Sequence, residues 1–229
     1  MTSCPTMALL WLLLLELALY CCCFICGIVT AASVTVSQGD FIGKCMLYGS
    51  VTLNSSAFSV SSSSSPSLCY FVSAISVCVA IFCFSTTLYW VYMYCIDGEL
   101  KRERVWMNIS LGVCTVFLFF LLVTGCILKM GLDRLCDSVF QNVWNITRCE
   151  DAQSKSWKSP MTGNRFFYKL HSAEIAVWVN FFGWMIIAVL VVVQRRWGSD
   201  TRSRLEDPGA SPAETEPFLK QPEWPQRTH

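Results

Sequence analysis

The chain has 229 residues, of which 54% are hydrophobic and only 14% are charged, with a net charge of +1. Soluble domains carry about 25% charged residues, so this composition indicates a membrane protein. The near-neutral net charge gives no excess of basic residues to indicate binding to nucleic acid phosphates. The segments outside the apolar runs are shorter than the roughly 50 residues of an independent domain. The composition therefore predicts a single membrane domain.

Four apolar runs are long enough to cross a bilayer as helices. They span residues 7–32, 68–95, 105–128 and 173–194, and about 20 apolar residues suffice for the hydrocarbon core. The first run also resembles a secretory signal peptide, with small residues for cleavage at Thr30-Ala31-Ala32. Its length and the lack of a preceding Lys or Arg favour a retained helix. The fold class predicted is all-α membrane, a bundle of four transmembrane helices.

Basic residues predict that both chain ends are cytosolic. The link between the second and third helices contains three basic residues, and Arg195-Arg196 follows the fourth helix. Basic residues beside helix ends favour the cytosol. The remaining segments follow from this orientation: 1–6 is the cytosolic N-terminus, 33–67 and 129–172 are extracellular or lumenal loops, 96–104 is the cytosolic link, and 195–229 is the cytosolic tail.

Sequons and cysteines support the same orientation. Each predicted outer loop contains an Asn-x-Ser/Thr sequon, whereas a third match, Asn108-Ile109-Ser110, lies inside an apolar run where a glycosyltransferase has no access. The first loop together with the start of the second helix contains one pair of cysteines, and the second loop contains another. In an oxidising compartment this predicts one disulfide for each pair, with four free thiols as the alternative. The predicted sites are glycans on Asn54 and Asn145 and bridges between Cys45 and Cys69 and between Cys136 and Cys149.

The first outer loop has the pattern of a small antiparallel sheet. Ser33–Val36, Cys45–Tyr48 and Ser50–Leu53 alternate like short strands, and the glycines between them are typical of turns. The serine run Ser61–Ser65 predicts a flexible spacer before the second helix. The second loop is rich in aromatic residues, which indicate interfacial anchors or a small core, with a partner-binding face as the alternative. These aromatic residues are Trp144, Trp157, Phe166, Phe167 and Tyr168.

Two short signals lie on the predicted cytosolic side. Cys95 ends the second helix beside the basic link and is a palmitoylation candidate. The tail is rich in proline and poor in aliphatic residues, which predicts disorder. Within it, Glu214–Leu219 resembles an acidic dileucine sorting signal, with Phe218 replacing the first aliphatic residue. A sorting adaptor is the partner that this segment predicts.

Glu16 is the charged residue that lies deepest in the four runs. It is nine residues into the first helix, about 14 Å deep at 1.5 Å per residue. A carboxylate at this depth must be neutral, paired or turned into the bundle. Depth matching predicts a hydroxyl-lined level around it, with proton coupling and a partner subunit's cation as alternatives. The residues predicted at this level are Ser85, Thr86, Thr87 and Thr115.

Two further sets of residues have a chemical interpretation. Glu174 is predicted to cap the start of the fourth helix with His171 and Ser172, because a carboxylate is favoured at the positive end of the helix dipole. Cys23 and Cys26 have the Cys-x-x-Cys spacing of thiol oxidoreductases, but no basic residue near them stabilises a thiolate. No histidine is near them to complete a zinc site. The sequence therefore predicts no enzyme, no metal and no cofactor.

A set of short motifs is distributed in order along residues 7–194: Glu16-Leu17-Ala18-Leu19, Gln38-Gly39, Gly43-Lys44-Cys45, Leu47-Tyr48-Gly49, Pro66–Val72, Cys126-Ile127-Leu128, Leu135-Cys136, His171–Glu174 and Trp178-Val179-Asn180. In these motifs the chain resembles the transmembrane protein 179 family. The resemblance implies a claudin-like four-pass arrangement, with a small extracellular β-rich cap formed by the first loop. That loop lacks the claudin signature of a Trp followed by paired cysteines, which argues against barrier-forming polymers.

Together these patterns predict a multi-pass membrane glycoprotein of the plasma membrane or the secretory endomembranes. We expect it to contact the bilayer and to organise or accompany other membrane proteins. Two alternatives use the unusual residues of the first helix. One is a membrane thiol oxidoreductase based on Cys23 and Cys26, and the other is a proton-coupled transport component based on Glu16.

Overall fold

The computed structural model describes residues 3–54, 57–97, 104–142, 148–163 and 165–205. Each of the four long helices in this part of the chain contains a segment long and apolar enough to cross a bilayer, which confirms the predicted four-helix membrane fold. A two-stranded sheet and a short 3₁₀ turn complete it. The elements are α1 (Ser3–Asp40), β1 (Cys45–Asn54), β2 (Ala57–Ser64), α2 (Pro66–Asp97), α3 (Arg104–Asn142), the 3₁₀ turn (Cys149–Ser154) and α4 (Phe166–Leu205).

The buried faces of the helices repeat at alternating spacings of three and four residues. This period is typical of left-handed helix bundles, whose side chains interlock along a seam. In the bundle, α1 packs against α2 and α4, and α3 packs against α4. The buried series is Tyr20, Cys23, Gly27, Thr30, Val34, Ser37 and Phe41 in α1, and Ala173, Val177, Asn180, Trp184, Ile187 and Val191 in α4.

Helices α1 and α2 approach each other closely at Gly27. A Cβ atom at this position would lie 2.8 Å from the backbone oxygen of Ser76 and 3.1 Å from the Cβ of Ala80. Only glycine permits this approach, and small residues serve the same purpose in other membrane bundles. The sequence spacing Gly27-x-x-x-Ala31 predicts this packing, which is confirmed at Gly27.

A small cap covers the end of the bundle opposite the chain termini. We define the cap as residues 41–53, 57–64 and 148–163. Its strands β1 and β2 pair antiparallel, and β1 lies against α3. The Val51 amide donates to Ser138 Oγ at 2.9 Å, and Asn142 Nδ2 donates to the Val51 carbonyl at 3.0 Å. These bonds attach the middle of β1 to the last turns of α3.

Two predictions for the first loop are wrong. Ser33–Val36 is helical rather than extended, because α1 continues to Asp40 and buries Val34 and Ser37 on the same face as Thr30. Packing of that face outweighs the β-propensity of the Val and Thr residues. The serine run is also not a spacer, since Ser61–Ser64 belong to β2.

The sheet has paired hydroxyls between its strands and one irregular strand. Serine and threonine hydroxyls pair across the strands, with 2.7 Å between Ser50 Oγ and Ser62 Oγ and 3.1 Å between Thr52 Oγ1 and Ser59 Oγ. Such cross-strand pairs stabilise a sheet. The two segments predicted as separate strands form the single strand β1, which is irregular near Tyr48, a residue with φ of 60°.

Candidate functional site

An aromatic core fills the cap. Trp157 lies at the centre of this core, with ring centroids 5.3 Å from Phe41, 5.2 Å from Phe58 and 5.5 Å from Phe166. The three phenylalanines are buried, and such aromatic pairs add to the energy of burial. Trp157 and Phe166 therefore belong to a small core, whereas Phe167 is half-buried, Tyr168 is exposed and Trp144 lies outside the described residues.

Two disulfides attach the cap to the helices. The structure joins the loop cysteines in the predicted pairs, with Cα atoms 5.8 Å apart for Cys45 and Cys69 and 5.4 Å apart for Cys136 and Cys149. The first bridge connects the start of β1 to the first turn of α2, and the second connects α3 to the 3₁₀ turn. The cap is thus fixed to two helices by covalent bonds.

Charged residues connect the helices at the cap end of the bundle. Asp40 and Lys169 form an ion pair between α1 and α4. Glu174 is nearly buried and lies 3.6 Å from Lys129 Nζ of α3 and 3.4 Å from His171 Nδ1 of its own helix. The prediction that Glu174 caps the helix is wrong, because α4 begins at Phe166, two turns earlier. Glu174 instead joins α3 to α4.

Glu16 is 2% exposed and has a polar partner that the sequence prediction missed. Gln194 Nε2 of α4 donates to Glu16 Oε2 at 3.1 Å. Because α4 continues to Leu205, Gln194 lies well inside the helix rather than at its end. The antiparallel course of the first and fourth helices is the signal that could have indicated this pair.

The hydroxyl-lined level predicted around Glu16 does not form as expected. Thr115 is exposed on α3, and its hydroxyl donates to the backbone carbonyl of Leu111 at 3.0 Å. Ser85 is also exposed, whereas Thr86 is buried and Thr87 is half-buried. A helical hydroxyl readily bonds to its own backbone, so depth alone does not bring it to a neighbouring helix.

Glu16 also lines a groove between α1 and α2 at the end of the bundle that carries the chain termini. We call this the terminal groove, and its volume is about 340 Å³. Among the described residues that line it, Glu16 is the one acidic residue and the others are apolar or aromatic. The lining residues are Leu13, Leu14, Glu16, Leu17, Trp90, Val91 and Tyr94.

Within the Cys-x-x-Cys pair, Cys23 packs between helices and Cys26 is half-buried. Cys23 and Cys26 are not joined to each other. Cys23 is buried, contacts the Cys83 thiol of α2, and lies so close to Gly183 that a Cβ there would be 2.8 Å from its Sγ. In the part of the chain that is described, no group of three or more His, Cys, Asp or Glu side chains is placed to hold a metal ion.

The other predicted sites lie at the periphery. Cys95 is exposed near the end of α2, where an acyl chain would meet lipid. Asn54 is the last residue of β1. Asn145 and Glu214–Leu219 lie outside the described residues.

A buried polar layer was missed by the sequence prediction. One polar side chain from each long helix is at most 1% exposed near the middle of the bundle. The alternating spacing of three and four residues is the signal that places them on the inward faces. The four residues of this middle layer are Thr30, Ser76, Thr124 and Asn180.

Comparison with known proteins identifies the family. The profile of the transmembrane protein 179/179B claudin domain matches residues 12–219. Transmembrane protein 179B of Danio rerio is 68% identical, covering 93% of this chain and 97% of its own length. The proteins of the same name from Homo sapiens and Mus musculus are 42% and 38% identical, covering 85% and 82% of this chain and 87% and 85% of their own lengths. No solved structure matches significantly. The chain therefore belongs to the transmembrane protein 179/179B family, as the motifs in its sequence predicted.

Proposed function

We propose that this chain is a non-enzymatic four-pass membrane protein that organises or accompanies partner membrane proteins. The observation that carries the proposal is the terminal groove, an apolar cleft on the side of the bundle with the Glu16 carboxyl in its wall. The described residues that line the groove come from α1 and α2. A transmembrane helix of a partner protein fits this chemistry.

A partner helix would gain two kinds of contact in the groove. Apolar surfaces alone do not drive helices together in lipid, because the lipid tails are equally apolar. Close packing and interhelical hydrogen bonds supply the attraction instead. The aromatic wall of Trp90 and Tyr94 offers packing surface. The carboxyl of Glu16 places a polar group in the same wall.

The cap supports the same proposal from the other end of the molecule. Its aromatic core and two disulfides hold it in one position on the helices. A surface that is already ordered loses less conformational entropy on binding than a flexible loop. The cap is therefore suited to present a fixed surface to a partner.

We expect Glu16→Gln to reduce the recovery of partner membrane proteins about threefold, since interhelical hydrogen bonds in bilayers average about 0.6 kcal/mol. Glutamine keeps the shape of the side chain and a hydrogen bond to Gln194, so folding and abundance should be unchanged. The measurement is quantitative proximity labelling with a biotin-labelling enzyme fused to the C-terminal tail.

Glu174→Gln is the matched control, because it removes a nearly buried carboxylate far from the groove. Equal recovery with Glu16→Gln and the parent would contradict the role of the groove. Failure to recover any membrane protein above background would contradict the organising function itself.

We further propose that both chain ends are cytosolic, that Asn54 and Asn145 carry glycans and that Cys95 is palmitoylated. In the double variant Asn54→Gln/Asn145→Gln, the shift in gel mobility caused by glycosidase should disappear. Asn108→Gln is the control and should leave the shift unchanged, because its sequon begins four residues into α3. A glycosidase shift that persists in the double variant would refute this orientation.

A further inference from the structure

The ion pairs at the cap end define which residues of the middle layer share one depth. Asp40 of α1 pairs with Lys169 of α4. Thr30 precedes Asp40 by ten residues and Asn180 follows Lys169 by eleven. Since the helices are antiparallel and rise about 1.5 Å per residue, Thr30 and Asn180 lie at the same level.

The other two helices contribute at the same depth. Lys129 of α3 contacts Glu174 of α4. Thr124 precedes Lys129 by five residues, and Asn180 follows Glu174 by six, so both lie at a similar distance from this contact. On the opposite side of α1, the backbone of Ser76 lies against Gly27, within one turn of Thr30. The middle layer thus has one side chain from each helix.

Two atoms of the middle layer make no hydrogen bond within the described residues. They are Thr124 Oγ1 and Asn180 Oδ1, and both residues are fully enclosed by the bundle. Thr30 Oγ1 and Ser76 Oγ each donate to the backbone carbonyl four residues earlier, at 2.9 and 2.8 Å. Their oxygens keep lone pairs that can accept. A buried polar atom without a partner is costly, and in native proteins it usually indicates bound water or an ion.

We propose that the middle layer binds an internal water molecule between α3 and α4, held by Thr124 and Asn180. Water donates one hydrogen to the Asn180 carboxamide oxygen and accepts the hydrogen of the Thr124 hydroxyl. Its second hydrogen is available to an acceptor oxygen of the same layer. Buried waters make about three hydrogen bonds of this kind. Thr30 and Ser76 provide further acceptors at the same level.

The chemistry of the layer favours water over a cation. All four side chains are neutral, and transfer of a bare charge from water to an apolar interior is far more costly than transfer of a neutral polar molecule. Internal metal sites for hard cations normally include carboxylate oxygens. The nearest acidic residues on α1 and α4 are Asp40 and Glu174, which are engaged in ion pairs at the cap end.

A direct test detects the water by NMR on the purified full-length protein in detergent micelles. With ¹⁵N-labelled asparagine, the Asn180 carboxamide resonance is assigned by its loss in Asn180→Leu. We expect a magnetisation-transfer peak between this carboxamide and long-lived water, and we expect Thr124→Val to abolish it. Thr115→Val is the matched control, because Thr115 is exposed on the same helix.

Thermal unfolding gives an independent test of the shared site. Thr124→Val and Asn180→Leu should each lower the melting temperature by about 3 °C. Each removes one side chain that holds the water and leaves the other polar side chain buried without that hydrogen-bond partner. The double variant should be no less stable than Asn180→Leu alone. Additive losses would overturn the proposal.

Three further outcomes would also overturn it. Coupling between the two positions without a water peak would indicate a direct hydrogen bond between Thr124 and Asn180. A change in the chemical shift of the Asn180 carboxamide when choline replaces Na⁺ in the buffer would indicate a bound cation. Retention of the water peak in Thr124→Val would place the water elsewhere.

Discussion

Trp184→Ala should lower the free energy of unfolding of the full-length protein by about 3 kcal/mol, the order of cost found for truncating large buried aromatics. Trp184 is completely buried at the centre of the bundle. Its ring centroid lies 5.9 Å from that of Tyr20 in α1, 5.9 Å from Phe82 in α2 and 4.9 Å from Phe117 in α3. One side chain therefore contacts all three other helices.

The cost arises from lost packing rather than from exposure to water. In a bilayer the helices are held by van der Waals contacts and hydrogen bonds, and lipid cannot enter an enclosed cavity. Denaturant unfolding of the purified protein in mixed micelles measures the effect. Trp184→Phe should restore most of the stability, since the indole N–H makes no hydrogen bond within the described residues.

Phe182→Ala is the matched control for this prediction. Phe182 is two residues from Trp184 on the same helix, but its side chain is exposed on the outside of the bundle. Lipid or detergent replaces the lost ring there, so the change should cost little. Equal losses of stability for Phe182→Ala and Trp184→Ala would contradict the central role of Trp184.

The membrane helices were predictable from the sequence because apolar length is a local property. The ends of the helices were not, since they depend on what the chain meets beyond the bilayer. Helix α1 continues through Ser33–Val36 because Val34 and Ser37 pack inward. Similarly, α4 begins at Phe166 because that residue packs in the cap core.

The partners of buried polar residues were harder to predict than their burial. The depth of Glu16 was evident, but its partner Gln194 is 178 residues away along the chain. Depth matching indicates which residues share a level without showing which way they face. Thr115 shows this limit, because it is exposed on α3. The disulfide pairs were predictable because only two cysteines lie in or directly beside each predicted outer loop.

The second large effect concerns the bridge between the cap and α2. We expect Cys45→Ala/Cys69→Ala to destabilise the protein by about 3 kcal/mol, because the bridge closes a loop with a sequence separation of 24 and so limits the unfolded chain. The bridge Cys136–Cys149 closes a shorter loop, with a sequence separation of 13. By the same loop-entropy relation, its removal should cost about 0.5 kcal/mol less. Denaturant unfolding curves of the parent and of each double-alanine variant, recorded without reductant, measure the two costs separately.

The cap and the bundle should respond differently to loss of the Cys45–Cys69 bridge. The bridge holds the start of β1 at the first turn of α2, whereas the helices also pack directly against one another. Limited proteolysis should therefore cut the cap of the double variant well before the helices. Cys78→Ala is the matched control, because Cys78 is an exposed free thiol of the same helix. If reductant leaves the stability of the parent unchanged, the bridge does not support the fold, and the cap is held by its aromatic core and its bonds to α3.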